Sequence, residues 1–527
     1  MKILSRSDLG YRLTQSYSRN ESKWYKPEFI WTADKNSWSA DWEGRTVLAL
    51  VSLAKATGKE PSYLEEILRL LPIHLNEQGY LGPIYPNGGI SEQSLAGHSW
   101  LLRGLIEYSL FKKTDKVKGI IETILKNLYM PVVEEIDNYY INHYEKDGTY
   151  SGSIISVKGK WLMSSDIGCA FISLDGISHA YEYLGWEWLK DYVLKMHEKF
   201  KQVDLYGGTF QTHATLSCLR GLIRTYNIVK DPELLNTVKE KFDFYVKNGT
   251  TENYSNCNRF NVAKWTEPCA IFDSYMCAVE LYKITKESEY LDFAQKVYFN
   301  SISHIQLPNG GMGLENCPGY HGISKLGWNR RATGEIYEAY WCCTMRGGDG
   351  LAYVSQNQCL KEDNVYTFVN FFDCAVVDDE VTIEEITQYP KRGSAIFVIN
   401  NPKAKEIVLR LFVPSFVRNV KINGNAQSVA DGFVVVSTNA TIKQLEIEFD
   451  IPLIKMPCNG AGYGFKYMHG NVLLGAYTNE ESVGNFYWVK DCEYKTDSGI
   501  TFDRIGNTIY KQPSDLDKED VKILFGK

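Results

Sequence analysis

The chain has 527 residues, 44% hydrophobic and 23% charged, with a formal net charge of -7. That is an ordinary globular composition, with room for several domains or for one large toroid with an accessory domain. The acidic balance and the lack of a basic block exclude nucleic acid as the main partner. No run of eighteen apolar residues exists, which excludes a membrane helix.

The first residues, MKILSRSDLGYRL, hold no apolar run of signal-peptide length. Twelve cysteines follow without a regular framework and read as reduced thiols, some of them metal-bound. The expected compartment is the cytoplasm, although a chain whose signal had been removed would read the same. From about residue 43 to 305 one pattern recurs: an apolar helix, a short polar break, then a second helix. The instances are VLALVSLAKATGKEPSYLEEIL, LLRGLIEYSLFKKTDKVKGIIETIL, ISHAYEYLGWEWLKDYVL, CLRGLIRTYNIVKDPELLNTVKEKF and AVELYKITKESEYLDFAQKVY. Apolar residues step by three and four within each helix, and Gly, Lys and Asp mark the breaks. Such hairpins bury their inner faces only against neighbours. The irregular spacing between copies favours a closed toroid over an open solenoid. A sixth hairpin is expected from the first forty residues or from the stretch Gly348 to Val354.

Several residues in this part carry possible chemistry. His98, in SLAGHSWLL, and His213, in FQTHATLSC, both sit near the start of a first helix in a hairpin. They are expected at one mouth of the toroid, where a binding site would be built. Glu252 lies in the polar stretch NGTTENYSNCN, where most glutamates are simply solvated. In KWTEPCAIF, Thr266 suits a helix cap, Glu267 suits the helix dipole and Pro268 suits the first turn. Cys269 has no such ordinary explanation. The run PNGGMGLENCPGYHG lacks the Lys-Ser/Thr of a phosphate loop and reads as an irregular active-site loop. Cys342 and Cys343 stand side by side in EAYWCCTMRGGDG. Three cysteines and a carboxylate can close a tetrahedral zinc site, and a zinc-held cysteine is ionised at neutral pH. The spacing matches no zinc finger or ribbon, so ordinary buried thiols remain the other reading.

After Ser355 the texture changes to short β-branched and aromatic segments such as NVYTFVNFF, SAIFVIN, EIVLRLFV and QLEIEF. Turn residues separate them, which predicts an antiparallel β-sandwich. VKINGNAQ holds an Asn-Gly turn between two strands, a hairpin signal. The expected division is therefore 1–355 for the helical toroid and 356–527 for the β-domain.

Taken together, these residues resemble glycoside hydrolase family 127, the β-L-arabinofuranosidases, or a close relative in that clan. The resemblance rests on GYLGP followed by AGH at His98, the Glu-x-Cys of Glu267 and Cys269, and the pair Cys342 and Cys343. KEDNVYTFVNFF, TQYPKRGSAIFVIN and LRLFVPS add to it in the β-region. It implies a mainly α toroid, an (α/α)6 barrel, followed by an antiparallel β-sandwich. It further implies zinc held by Glu267, Cys269, Cys342 and Cys343, with Cys342 as nucleophile and Glu252 as general acid/base. His98 and His213 would hold sugar hydroxyls of an oligosaccharide or glycoside substrate. His98, His213, Glu252 and Cys342 are then expected to converge on one sugar-sized pocket, with Glu252 opposite Cys342. The chain departs from the family in places. Glu252 stands one residue closer to Glu267 than the pattern expects, Cys169 to Ile172 replace a Gly-His-x-Glu segment, and Thr344 and Met345 replace two prolines.

The implied reaction is retaining hydrolysis of a furanoside, most simply a β-L-arabinofuranoside, with a thiolate in the place of the usual carboxylate. Two alternatives stand beside it. One is a toroid enzyme acting on another plant-glycan sugar, uronic or branched and acidic, with zinc purely structural. The other is a glycan-binding protein without catalysis. The 13% aromatic content, with 35 Tyr and 12 Trp, suits sugar faces and large cores alike.

Overall fold

The computed structural model describes residues 1–526 apart from 32–37, 142–151, 330–337, 340–341, 380, 460–463 and 509–519. Among the described residues, twelve longer helices carry the first two thirds of the chain: α1 (Ser7–Asn20), α2 (Asp41–Thr57), α3 (Leu64–His74), α4 (Glu92–Lys112), α5 (Lys118–Ile124) and α6 (Ser173–Leu184). They continue as α7 (Glu187–Lys201), α8 (Thr212–Val229), α9 (Pro232–Asn248), α10 (Pro268–Thr285), α11 (Glu289–Val297) and α12 (Cys343–Gln356).

Six of them are neighbours in a closed order. α2 packs on α4, α4 on α6, α6 on α8, α8 on α10, α10 on α12, and α12 returns to α2. Each has a second helix on its outer side: α3 on α2, α5 on α4, α7 on α6, α9 on α8, α11 on α10 and α1 on α12. The sequence explains which is which. α4 is buried on nearly every face, whereas α7 and α9 alternate buried apolar with exposed charged residues. The sixth pair unites the two stretches the sequence offered as alternatives, since α1 lies within the first forty residues and α12 contains Gly348 to Val354.

Close approach between inner helices depends on glycine. A Cβ at Gly44 would lie 2.2 Å from Leu101 N, and one at Gly221 would lie 2.5 Å from the Leu174 carbonyl carbon. A side chain at either position would force backbone apart rather than displace a flexible neighbour.

Beyond α12 the described chain is mainly strands. A seven-stranded sheet runs in the order Lys2–Ser5, Cys374–Val377, Thr382–Thr387, Ser394–Asn400, Ile442–Asp450, Arg418–Ile422, Asn425–Ala426. The strand Lys2–Ser5 thus joins the C-terminal sheet, and the linear division at residue 355 does not capture it. A four-stranded sheet contains Phe433–Thr438, Ile407–Phe412, Val365–Phe368 and Cys359–Glu362. Its pairing of Ile407–Phe412 with Val365–Phe368 is parallel, an exception to the antiparallel expectation. Phe368 of this sheet meets Phe397 of the seven-stranded one, ring centroids 4.9 Å apart. A six-stranded sheet follows, built from residues 453–504. The Asn-Gly signal forms the expected hairpin: Asn423 and Gly424 both have positive φ, and Ile422 pairs with Asn425. Among the described residues no helix is long and apolar enough to cross a membrane.

Candidate active site and metal centre

The inner helices bring their first turns together. Cys269 is the second residue of α10, after Pro268 at the first helical position, and Cys342 and Cys343 open α12. His213 is the second residue of α8, and Arg45 closes the first turn of α2. Helix N-termini carry partial positive charge, which favours thiolates and carboxylates placed there. Thr266 does not cap α10. Its hydroxyl oxygen instead accepts the N–H of Glu315, 2.9 Å away.

Three sulfurs meet at this point. Cys342 Sγ lies 3.4 Å from Cys343 Sγ, which lies 3.7 Å from Cys269 Sγ. A zinc ion bound to sulfur at about 2.3 Å in a tetrahedron has sulfur–sulfur edges of about 3.8 Å. The spacing therefore fits three corners of such a site. Glu267 is adjacent: its carboxylate, Cys269 Sγ and a His213 ring nitrogen lie within 4.8 Å of one another. Cys269 is the member shared by both groups. These donors, three soft sulfurs and one carboxylate, suit zinc better than magnesium or calcium. Cys269 and Cys343 are buried, whereas Cys342 is partly exposed.

The charges around the sulfurs are arranged to hold a thiolate. Burial works against ionised Cys269, but hydrogen bonds from Cys342 and Cys343 and the charges of Arg45 and His213 hold it well below the usual thiol range. Arg45 Nη1 is 3.6 Å from Cys269 Sγ, and Arg45 Nε donates to Asp41 at 2.8 Å. Hydrogen bonding to Cys269 holds the Cys342 thiol up, and burial does the same for Cys343. Three thiols in one buried cluster cannot all ionise unless a cation joins them.

His213 is placed to orient Glu267. Its Nδ1 is 3.3 Å from Glu267 Oε1, and its Nε2 is 3.5 Å from Asp273 Oδ2. Burial opposes a charged His213, but Cys269 and Glu267 outweigh it and raise its pKa. The ring stacks on Trp100 at 5.7 Å, and Trp100 is flanked by the guanidinium groups of Arg45 at 4.3 Å and Arg346 at 4.8 Å. Glu267 also faces Gln211 Nε2 at 3.4 Å, and its backbone N–H donates to Asn256 at 2.9 Å.

Beneath the cluster a polar belt links all six inner helices. Arg103 of α4 donates to Asp175 of α6 at 2.6 Å, and Arg220 of α8 lies 3.4 Å from Asp175 and 2.8 Å from Asp273 of α10. Arg346 of α12 pairs with Asp273 and with Asp349, and Asp349 accepts from Ser52 of α2 at 2.8 Å.

One expected site residue is placed differently from the sequence reading. His98 is sealed in the helix interface, with Nδ1 2.8 Å from Ser94 O and Nε2 accepting the Leu81 N–H at 3.1 Å. Both ring nitrogens are spent on backbone, so none is left for a sugar hydroxyl. Burial pushes His98 down to about 4. An unfolded histidine titrates near 6.5. Between these values the unfolded chain binds the extra proton, so stability should fall as pH drops from about 6.5 to about 4, and be level above that. The full loss is about 3 kcal/mol. Urea midpoints at pH 7 and pH 4.5 test this: His98→Gln should flatten the decline, and an identical decline in both proteins would refute it.

Glu252 belongs to neither group of metal-competent residues. Its Oε2 receives Lys466 Nζ at 2.8 Å and its Oε1 receives the Asn459 N–H at 2.6 Å. Lys466 Nζ also donates to the Glu252 carbonyl at 2.9 Å. The Gly-rich run packs on the same side chain, because a Cβ at Gly319 would fall 2.5 Å from Glu252 Cγ. Glu252 thus ties the helical part to the strand Phe465–His469.

Sequence reasoning missed Arg45, Trp100, Gln211, Asp273 and Arg346. Three of these were visible as charges inside apolar helical runs, in GRTVLALV, AIFDSYM and CTMRGGDG. A charge there is rarely left unpaired.

No protein-family model and no curated protein matches the chain. Solved structures match its fold over its whole length. A protein described as a glycoside hydrolase superposes with a TM-score of 0.69 at 10% identity, over 100% of this chain and 96% of the other. A GH127 β-arabinofuranosidase gives 0.67 at 12%, over 98% and 91%. A GH127 β-L-arabinofuranosidase from Geobacillus stearothermophilus T6 gives 0.64 at 11%, over 97% and 94%. Identity this low speaks to fold alone. In fold, this chain is similar from end to end to the β-arabinofuranosidases of family GH127.

Proposed function

We propose that the protein is a retaining glycoside hydrolase of the GH127 kind, acting on a non-reducing furanoside and most simply on a β-L-arabinofuranoside. The closed order of inner helices supports an (α/α)6 barrel, and the facing sheets support a β-sandwich. The observation that carries the reading is the sulfur cluster, in which Cys342 alone of the three is partly exposed, at a helix N-terminus.

Glu267, Cys269, Cys342 and Cys343 would hold zinc. When bound, zinc would keep the thiols ionised at neutral pH. The protein's own steps are these. The Cys342 thiolate attacks the anomeric carbon and the glycosidic C–O bond breaks, the leaving oxygen taking a proton from the general acid. Water then attacks the same carbon, the C–S bond breaks, and the conjugate base takes the proton from water. His213 and Gln211 hold Glu267, and Arg45 faces Cys269.

For the acid/base we keep Glu252, and its ion pair makes the assignment testable. To act, it must exchange Lys466 or the Asn459 N–H for the leaving oxygen. Glu252→Gln should then lower turnover by roughly 10²–10⁴-fold on a poor leaving group. On an aryl furanoside whose leaving group needs no proton, bond cleavage should be nearly preserved. Equal losses on both substrates would remove Glu252 from the chemistry.

The same ion pair favours the second reading, in which the centre is structural and the protein binds or processes another glycan. Metal analysis with an aryl-glycoside screen tests the proposal as a whole. The expected result is one zinc per chain with furanoside hydrolysis, and Cys269→Ser should lose both metal and stability. Full hydrolytic activity in a zinc-free protein would overturn the metal assignment. A zinc-loaded protein inert on every furanoside would favour the second reading.

A further inference from the structure

Glu252 takes its cation from the C-terminal sheet. Lys466 lies on the strand Phe465–His469, paired with Met456 of the preceding strand, and is 3% exposed. A lysine is almost never that buried unless it is paired. Its Nζ donates to Glu252 Oε2 at 2.8 Å and to the Glu252 carbonyl at 2.9 Å, and lies 4.6 Å from the centre of the Tyr254 ring. Burial opposes the charge on Lys466, but Tyr254 and Glu252 outweigh it and raise its pKa, so the ammonium persists at neutral pH.

The two oxygens of Glu252 are held by different means. Oε2 meets a charged donor on a paired strand. Oε1 accepts a neutral one, the Asn459 N–H at 2.6 Å, on the loop between Leu453–Pro457 and Phe465–His469. Releasing Oε2 would leave a buried ammonium without its acid, a costly state. Asn459 is exposed, so its N–H can turn to water when Oε1 lets go. An ammonium has donors and no acceptor. In the acid form the proton therefore sits on Oε1, the exchangeable side. The rest of the residue has little room to swing: its N–H donates to the Pro318 carbonyl at 3.2 Å, and a Cβ at Gly319 would fall 2.5 Å from its Cγ. Among the described residues, Tyr254, Tyr320 and Cys458 are the other titratable groups near this carboxylate. Burial pushes Tyr320 up, and Cys458 up to about 11, so neither carries charge against Lys466 at neutral pH.

We propose that Lys466 is a positioning residue for the acid/base: it holds Glu252 Oε2 in place while Oε1 exchanges the Asn459 N–H for the leaving oxygen. The inference rests on the reading of Glu252 as acid/base. When Oε1 gives its proton to the leaving oxygen, the Lys466 ammonium faces the carboxylate that forms. The same charge is in place when water returns the proton. No bond to Lys466 forms or breaks. The C-terminal sheet thereby contributes a working part of the active site.

The test is kcat/KM of the intact protein on an alkyl furanoside, whose leaving group needs the proton, and on an activated aryl furanoside, whose leaving group does not. Lys466→Met should lower the alkyl value about tenfold or more and the aryl value far less. With the cation gone, the alkaline limb of the alkyl profile should move up by about one pH unit or more. In a Glu252→Gln protein the same change should slow neither substrate further, because Lys466 acts through Glu252. This double variant removes both charges of the pair, so it serves if Lys466→Met alone does not fold. The inference is overturned if Lys466→Met leaves the alkyl rate and the limb unmoved, if it slows both substrates alike, or if it slows the Glu252→Gln protein further. Those results leave Glu252 in place when Glu252→Gln alone is selective for the alkyl substrate. Equal losses from Glu252→Gln on both substrates would instead remove Glu252 itself.

Discussion

Cys342→Ser should fold, keep most of its metal, and lose turnover by on the order of 10⁴-fold or more. The reasoning starts from accessibility. Cys269 and Cys343 are 0% and 2% exposed, so a substrate carbon cannot reach either sulfur without rearrangement. Cys342 is partly exposed and occupies the N-cap position of α12. Serine there has a hydroxyl that stays protonated at neutral pH, and a neutral hydroxyl is a far weaker nucleophile than a thiolate. Cys343→Ser should behave in the opposite way. It removes a buried donor, so metal content and stability fall first, and added zinc restores part of the activity. Steady-state kinetics with metal analysis on both variants checks the contrast. Equal losses of metal and turnover in the two would deny Cys342 a separate role.

Asp273→Asn should cost about 3–5 kcal/mol of stability. Asp273 is fully buried and accepts from Arg220 and Ser217, each at 2.8 Å, and from Arg346. Asparagine keeps the shape but removes the charge that two buried guanidinium groups share. Both arginines are buried, and among the described residues each keeps only one other carboxylate, Asp175 for Arg220 and Asp349 for Arg346, so the loss is mainly charge left under-compensated rather than a missing contact. His213 is 3.5 Å from the same carboxylate, so its hold on Glu267 should loosen as well. Urea unfolding gives the stability, and zinc content gives the effect on the centre. A change below about 1 kcal/mol, the scale of an exposed pair, would show that the belt is not sealed from solvent.

The helical part was legible because its signal is local. Each hairpin declares itself by three- and four-residue apolar steps and a polar break, and ring closure follows from faces that find cover only on neighbours. The sixth pair was ambiguous because its two helices, α1 and α12, lie at opposite ends of that region. The strand Lys2–Ser5 was missed for the same reason: its partner Cys374–Val377 is far along the chain. The cysteine cluster was legible as residue types. Cys269 had no ordinary explanation at a helix start, and paired cysteines opened another helix. What sequence could not show was how side chains are spent. His98 resembles a site residue in spacing, yet Leu81 and Ser94 take both of its nitrogens. Glu252 meets Lys466 across a separation of 214 residues, which no local pattern encodes.

The central claim is that Cys342 forms the bond to the sugar, and covalent labelling tests it most directly. The intact, zinc-loaded protein would be exposed to an activated β-L-arabinofuranoside carrying an electrophilic trap, then digested and mapped by peptide mass spectrometry. A single label on Cys342, blocked by excess unreactive arabinofuranoside, is the predicted result. A label on Cys343 would reverse the roles of the two cysteines, and a label on Glu252 with both cysteines unmodified would contradict the thiolate mechanism.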